Sequence, residues 1–240
     1  HETDQRHFQH LARPQEAAYT YRMRIVGEQN RSEIELDPVK AYRRARALDA
    51  MLRGTAPPVA RGVMRGTHEY FNRLDAERQT QAARAECGMT AEDPLLTLLA
   101  RFRDEQVEYV LVGGQAVRLN GYLRATEDVD LLVKPTRVNG ERIIRALSFL
   151  AASKDLDAQW FVPAADGSVE NIRVADDLLV DLLFAANGET YASVQPYVRE
   201  LVIEGTPVRV LNIDGLIKTK TDYREKDLLD KRVLARIRDE

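Results

Sequence analysis

Apolar residues fall into two regimes along this chain. From about Pro14 to Glu86 the pattern is helical, with no alternation of strand type. Asp37-Pro38 reads as a helix start, an acceptor at the cap followed by proline at the first helical position. Val39, Tyr42, Ala45, Leu48, Ala50 and Leu52 continue that helix, and Gly54-Thr55-Ala56-Pro57-Pro58 ends it, since two prolines cannot propagate a helix. A second helix is expected over 67–84, burying Tyr70, Phe71 and Leu74. Large aliphatic residues are sparse here, so this part needs a partner surface, inside the chain or outside it.

After Met89 helical and alternating patterns mix. Gly88 stops a helix and Asp93-Pro94 starts the next, which carries Leu95, Leu96, Leu98, Leu99 and Phe102. A strand is expected over 107–112, ending at Gly113-Gly114, then a short helix over 115–120 stopped by Gly121. A strand over 128–133 ends at Lys134-Pro135, and an amphipathic helix covers 140–152. Further strands are expected over 156–162, 171–174, 178–184, 198–203 and 208–211, with closing helices over 214–221 and 226–237. The fold class is therefore α/β, a small mixed sheet with helices. It divides into a helical extension over 1–88, a regulatory or antitoxin-like segment, and a second unit over 89–240 that opens like a free-standing domain.

The 240 residues and 44% apolar content suffice for such a core. No run of about 18 apolar residues is present, so no membrane span is expected. The polar first residues do not read as a secretory signal. Cys87 is the one cysteine, which excludes an internal disulfide and suggests a reducing, cytoplasmic setting. None of His1, His7, His10 and His68 reads as a ligand. Net charge is -3, with no global signature of a polyanion binder, yet Arg43, Arg44, Arg46, Arg53, Arg61 and Arg65 crowd the first part. A solvated helix face and a local basic patch are equally open readings of them.

The chemistry concentrates around Asp128-Val129-Asp130. Residues two apart on a strand point to one face, so two carboxylates project together from an otherwise apolar strand. A bare Asp-x-Asp is more often a solvated pair at a strand start. Asp181 changes that balance, because it interrupts the apolar strand Leu178-Leu179-Val180-Asp181-Leu182-Leu183-Phe184. If the two strands adjoin, three carboxylates converge as candidate catalytic and metal-binding residues. Such a set suits hard cations, Mg2+ or Mn2+. Three acids can hold two ions, which position a triphosphate and stabilise both oxygens of an in-line displacement. Gly113-Gly114, between a strand and a helix, leaves the backbone open to phosphate.

Together these residues resemble the DNA polymerase β-like nucleotidyltransferase superfamily, in particular the small bacterial proteins grouped with AbiEii-type toxins. The shared features are strand–Gly113-Gly114–helix, Arg124-x-Thr126-x-Asp128-x-Asp130, the strand residue Asp181, Lys218, and Lys226-Asp227-x-x-Asp230. The resemblance covers roughly Asp93 onward. Gly114 departs from it, standing where the superfamily usually has serine. The resemblance implies a nucleotide-binding role for Gly113, Gly114, Arg124, Thr126, Lys218 and Asp227, with Lys218 favoured over Lys220. Surface placement of either lysine and local pairing of Asp227 remain the plainer readings. It further implies magnesium-dependent transfer of a nucleotide from a nucleoside triphosphate to a hydroxyl on RNA, a transfer RNA 3′ end among the candidates, or on a protein. The setting would be a toxin–antitoxin or defence system with a toxin or antitoxin partner. An antitoxin-class enzyme that modifies a toxin, and a degenerate relative that binds without turnover, are the alternatives. The arginine-rich first part would then either guide an RNA acceptor or cover the site, and its apolar face favours the cover.

Overall fold

The computed structural model describes residues 37–52, 62–66, 93–124, 126 and 128–239. Its centre is a seven-stranded mixed sheet. The strands are β1 (Gly62–Gly66), β2 (Tyr109–Leu111), β3 (Asp128–Val133), β4 (Asn171–Ala175), β5 (Leu179–Leu183), β8 (Val198–Ile203) and β9 (Thr206–Leu211), in the spatial order β1-β4-β5-β3-β2-β9-β8. β3 runs parallel to β5 and β2 parallel to β9, while the other four neighbouring pairs are antiparallel. A separate ribbon joins β6 (Ala185–Ala186) to β7 (Glu189–Thr190). The helices are α1 (Pro38–Leu52), α2 (Pro94–Asp104), α3 (Gly113–Leu119), α4 (Arg137–Ala146), α5 (Ile213–Thr219) and α6 (Glu225–Asp239).

The central strands are apolar because both faces are covered. β5 is buried at all five positions, which makes the charge at Asp181 stand out. Phe102, Leu111, Leu131, Leu132, Ile143, Leu147 and Phe161 fill the core around it. The helix starts follow from their caps. Asp93 accepts from the Leu95 amide at 3.0 Å, and Asp37 accepts from Val39 and Lys40. The Thr136 hydroxyl accepts from Asn139, which starts α4 three residues before the expected 140; past Ala146 the chain tightens into short 3-10 turns.

Two expectations fail here. The run over 156–162 is not a strand: Ala158–Phe161 is a 3-10 turn capped by Asp157. A short apolar run does not separate a strand from a buried turn. What decides is that Phe161 is fully buried, packing so closely on α4 that a Cβ on Gly140 would overlap its ring. The second failure is the purely helical first part. β1 pairs with β4 from Gly62↔Ala175 to Gly66↔Asn171, and Tyr42 of α1 joins the main core. The boundary expected at Met89 thus does not separate these pieces from the sheet, and the partner surface they need lies within the chain. The helix expected over 67–84 and the join at 86–92 lie outside the described residues.

Candidate functional site

β3 and β5 are parallel neighbours in register, with Asp130 opposite Asp181. In-register neighbours share a face of the sheet, and Asp128 shares it by strand alternation. The three side chains bring ligand oxygens within 4.8 Å of one another. The expected convergence of Asp128, Asp130 and Asp181 is therefore present. Asp181 is fully buried and Asp130 is 7% exposed.

Gly113 brings the backbone against this cluster. Its φ is 60°, in the left-handed region that glycine tolerates, and a Cβ there would overlap the Asp130 carboxylate. Gly114 lies equally close to Thr126, whose side chain fills the space a Cβ would need. Thr126 in turn donates its hydroxyl to Asp128 Oδ1 at 2.5 Å. A side chain at position 114 would collide with Thr126 here, and a hydroxyl reaches the acids from the Thr126 loop.

Gly113→Ala should cost about 2 kcal/mol or more, combining the left-handed strain of a non-glycine residue with displacement of Asp130. Gly205→Ala, at a φ of 82° with nothing within 4 Å, should show the strain alone. Thermal denaturation of the two variants separates the contributions. Equal losses would remove the close-approach role of Gly113.

Arg173 on β4 stands opposite Asp181 and was not expected at the site. Its Nε donates to Asp181 Oδ1 at 2.6 Å and its Nη2 to Oδ2 at 2.7 Å. The sequence carried a usable signal. Asp176-Asp177-Leu178 joins two apolar strands as a tight hairpin, so residues four positions either side of Asp177 face each other.

A second polar cluster adjoins the first. Arg124 pairs with Asp230 at 2.9 Å, and Lys220 reaches the same carboxylate at 2.8 Å and Asp227 at 3.6 Å. Asp227 also accepts from the Thr221 amide and hydroxyl. This is the local pairing that was the plainer reading for Asp227. Lys218 is turned elsewhere, toward Glu189 at 3.9 Å and over the Tyr197 ring at 5.4 Å. Lys220 is thus the buried lysine beside the acids, whereas Lys218, the lysine expected at the site, points to Glu189 and Tyr197. α5 ends at Thr219, and the extended backbone at Lys220 redirects the chain. Arg118, also unforeseen, is 2% exposed and donates to the Arg124 carbonyl at 2.6 Å, pinning the loop that carries Arg124 and Thr126.

These neighbours split the two paired acids electrostatically. Burial pushes the Asp128 carboxyl up. Lys226 first, then the Thr126 hydroxyl, Arg124 and Arg173, outweigh it and hold the group below its usual range. Asp130 goes the other way. Burial, then the Asp128 and Asp181 charges, push it up to about 7 against the pull of Lys226 and Lys220. Lys226 is open to solvent at the rim, yet Arg124, followed by the protein crowded around it, holds its ammonium below the usual lysine range.

A stability profile follows. Asp130 has a raised folded value, so the native state holds its proton where the unfolded chain has lost it. Its contribution is full below about pH 4 and gone above about 7. Asp128, shifted the opposite way, acts only below its ordinary value of 3.8. The metal-free protein should therefore melt a few degrees lower at pH 8 than at pH 5.5, on the scale of ~2–4 °C per kcal/mol. Magnesium should restore the difference at pH 8 and do little at pH 5.5, because the ion needs the deprotonated ligand. Scanning fluorimetry across that window checks it; a melting temperature that rises with pH would contradict the Asp130 environment.

The described arginines of the first part are engaged within the chain. Arg43 pairs with Glu204 at 3.1 Å, Arg46 with Asp93 at 3.0 Å, and Arg65 with Glu170 at 3.1 Å while lying over Trp160. No helix of the described residues is long and apolar enough to cross a membrane. No protein-family model matches the chain, and no curated protein matches it. The class of protein defined by fold and site is thus a mixed α/β protein with a buried acidic centre able to hold a metal ion.

Proposed function

We propose that this chain is a magnesium-dependent nucleotidyltransferase, moving a nucleoside monophosphate from a nucleoside triphosphate to a hydroxyl with release of pyrophosphate. The observation that carries the reading is the convergence of three carboxylates beneath a side-chain-free backbone turn. The donor set fits a hard divalent cation. It is all oxygen, lies on neighbouring strands, and holds Asp130 in a repulsion that a bound cation would relieve. Asp128 and Asp130 would hold the ion. When bound, magnesium supplies charge neutralisation for the phosphates at the reacting centre.

The chain's own residues do the rest. Thr126 fixes Asp128, Gly113 and Gly114 let the phosphates approach the backbone, and Arg118 orders the loop between them. Lys226 places a positive charge at the open rim, where a triphosphate would enter. Following the resemblance, the acceptor is RNA, with a transfer RNA 3′ end a leading candidate, or a protein side chain. The biological setting is a toxin–antitoxin or defence system, with the enzyme as toxin or as the antitoxin-class modifier of one. The grip of Arg173 on Asp181 favours a second reading, in which the chain binds nucleotide without turnover. Incubation with each radiolabelled nucleoside triphosphate, magnesium, and total RNA or cell extract decides between them. A labelled macromolecule names substrate and acceptor, whereas nucleotide binding without any labelled product supports the second reading.

A further inference from the structure

Arg173, Asp181 and Asp130 form one row across three adjacent strands, β4, β5 and β3, on the same face of the sheet. Arg173 is 2% exposed and Asp181 fully buried, so water screens neither. The guanidinium engages both carboxylate oxygens at 2.6 and 2.7 Å, the planar fork-on-fork arrangement that is the strongest arginine–carboxylate geometry. Arginine does not give up its charge in a protein. With Asp181 gripped by the guanidinium, Asp128 and Asp130 remain as the two carboxylates for a single divalent ion, and Lys226, Arg124 and Lys220 add positive charge around them. A second divalent ion on Asp181 would have to sit against a permanent, buried cation. Arg173 is 2% exposed on a strand paired on both sides, so leaving Asp181 would expose a buried carboxylate without its partner.

We propose, resting on the magnesium reading above, that Arg173 takes the place of a second cation, so that this centre holds one divalent ion on Asp128 and Asp130, with Asp181 serving as a positioning residue. Asp181 then fixes the guanidinium and, through it, the charge balance beside Asp130. The arrangement differs from the two-ion centre that three convergent acids alone would suggest.

Manganese is the probe, titrated into the full chain with and without a non-hydrolysable triphosphate analogue, and read by electron paramagnetic resonance. Wild type should saturate at one Mn2+ per chain in both conditions, with no spin–spin coupled signal. Arg173→Gln frees both oxygens of Asp181 and should admit a second, coupled Mn2+ when the analogue is present. That variant breaks a buried pair and can fail to fold, so the double variant Arg173→Gln with Asp181→Asn carries the test independently. It keeps a neutral hydrogen-bonding pair and should retain one Mn2+ with affinity within about tenfold of wild type. A loss of more than about 100-fold, beyond what an outer-shell change causes, would make Asp181 a ligand and overturn the inference. Two coupled ions in wild type would overturn it as well, while leaving the magnesium reading intact. No Mn2+ binding by wild type, or unchanged binding in Asp130→Asn, would sink both.

Discussion

Asp130→Asn should be both inactive and more stable than the wild-type chain. The substitution keeps the side-chain shape and deletes the charge that burial and two neighbouring carboxylates oppose. Relief of that repulsion should raise stability at pH 8 by on the order of a few kcal/mol, given that each pKa unit corresponds to about 1.4 kcal/mol. Nucleotide transfer should fall by more than about 100-fold, since a direct metal ligand matters more than the outer-shell residues that already cost 10–100-fold. Sites that hold mutually repelling groups ready for a ligand commonly trade stability for activity in this way. Urea denaturation and product formation are the two measurements. A less stable variant would show that Asp130 is satisfied without metal, and an active one would remove it from the site.

The second large effect belongs to Asp230. Its fully buried carboxylate is shared by Arg124 at 2.9 Å and Lys220 at 2.8 Å. Asp230→Ala takes the shared acid from two enclosed cations, leaving Lys220 its longer contact to Asp227 at 3.6 Å. Breaking a buried pair from one side costs about 3–5 kcal/mol, because the surviving charge is uncompensated. The midpoint of urea unfolding should drop accordingly, at pH 7 and in moderate salt alike, since the pair is shielded from bulk ions. The damage should also reach the acidic centre, because Arg124 heads the loop that presents Thr126 to Asp128. A variant that unfolds within about 1 kcal/mol of wild type would mean that Asp230 is replaceable by water.

Much of this centre could be read in the sequence because charge in an apolar strand is locally conspicuous. Asp181 is flanked by Val180 and Leu182, and Asp130 by Val129 and Leu131, so neither looks like surface. The Asp37-Pro38 and Asp93-Pro94 starts were legible for a similar reason, each depending on two adjacent residues. What was not legible depended on the path of the chain. Whether Lys218 or Lys220 turns inward is settled by where α5 stops, one residue before Lys220. β1 is short and flanked by glycines, and its strand character comes from the pairing β4 offers rather than from its own pattern. The close approach of Gly114 to Thr126 is visible only when the two segments are brought face to face.

β1 gives the first part of the chain a role that neither acceptor guide nor cover describes. β4 carries Arg173, and without β1 its outer row of amide and carbonyl groups would lack a strand to bond. Such an open border recruits other chains, which folded proteins avoid by capping or covering it. A protein started at Met89 would have that border, and would also lose Tyr42 from its seat in the core. By capping β4, the segment before Met89 shields the sheet from its own copies, and its removal should produce aggregates rather than a soluble, more active protein.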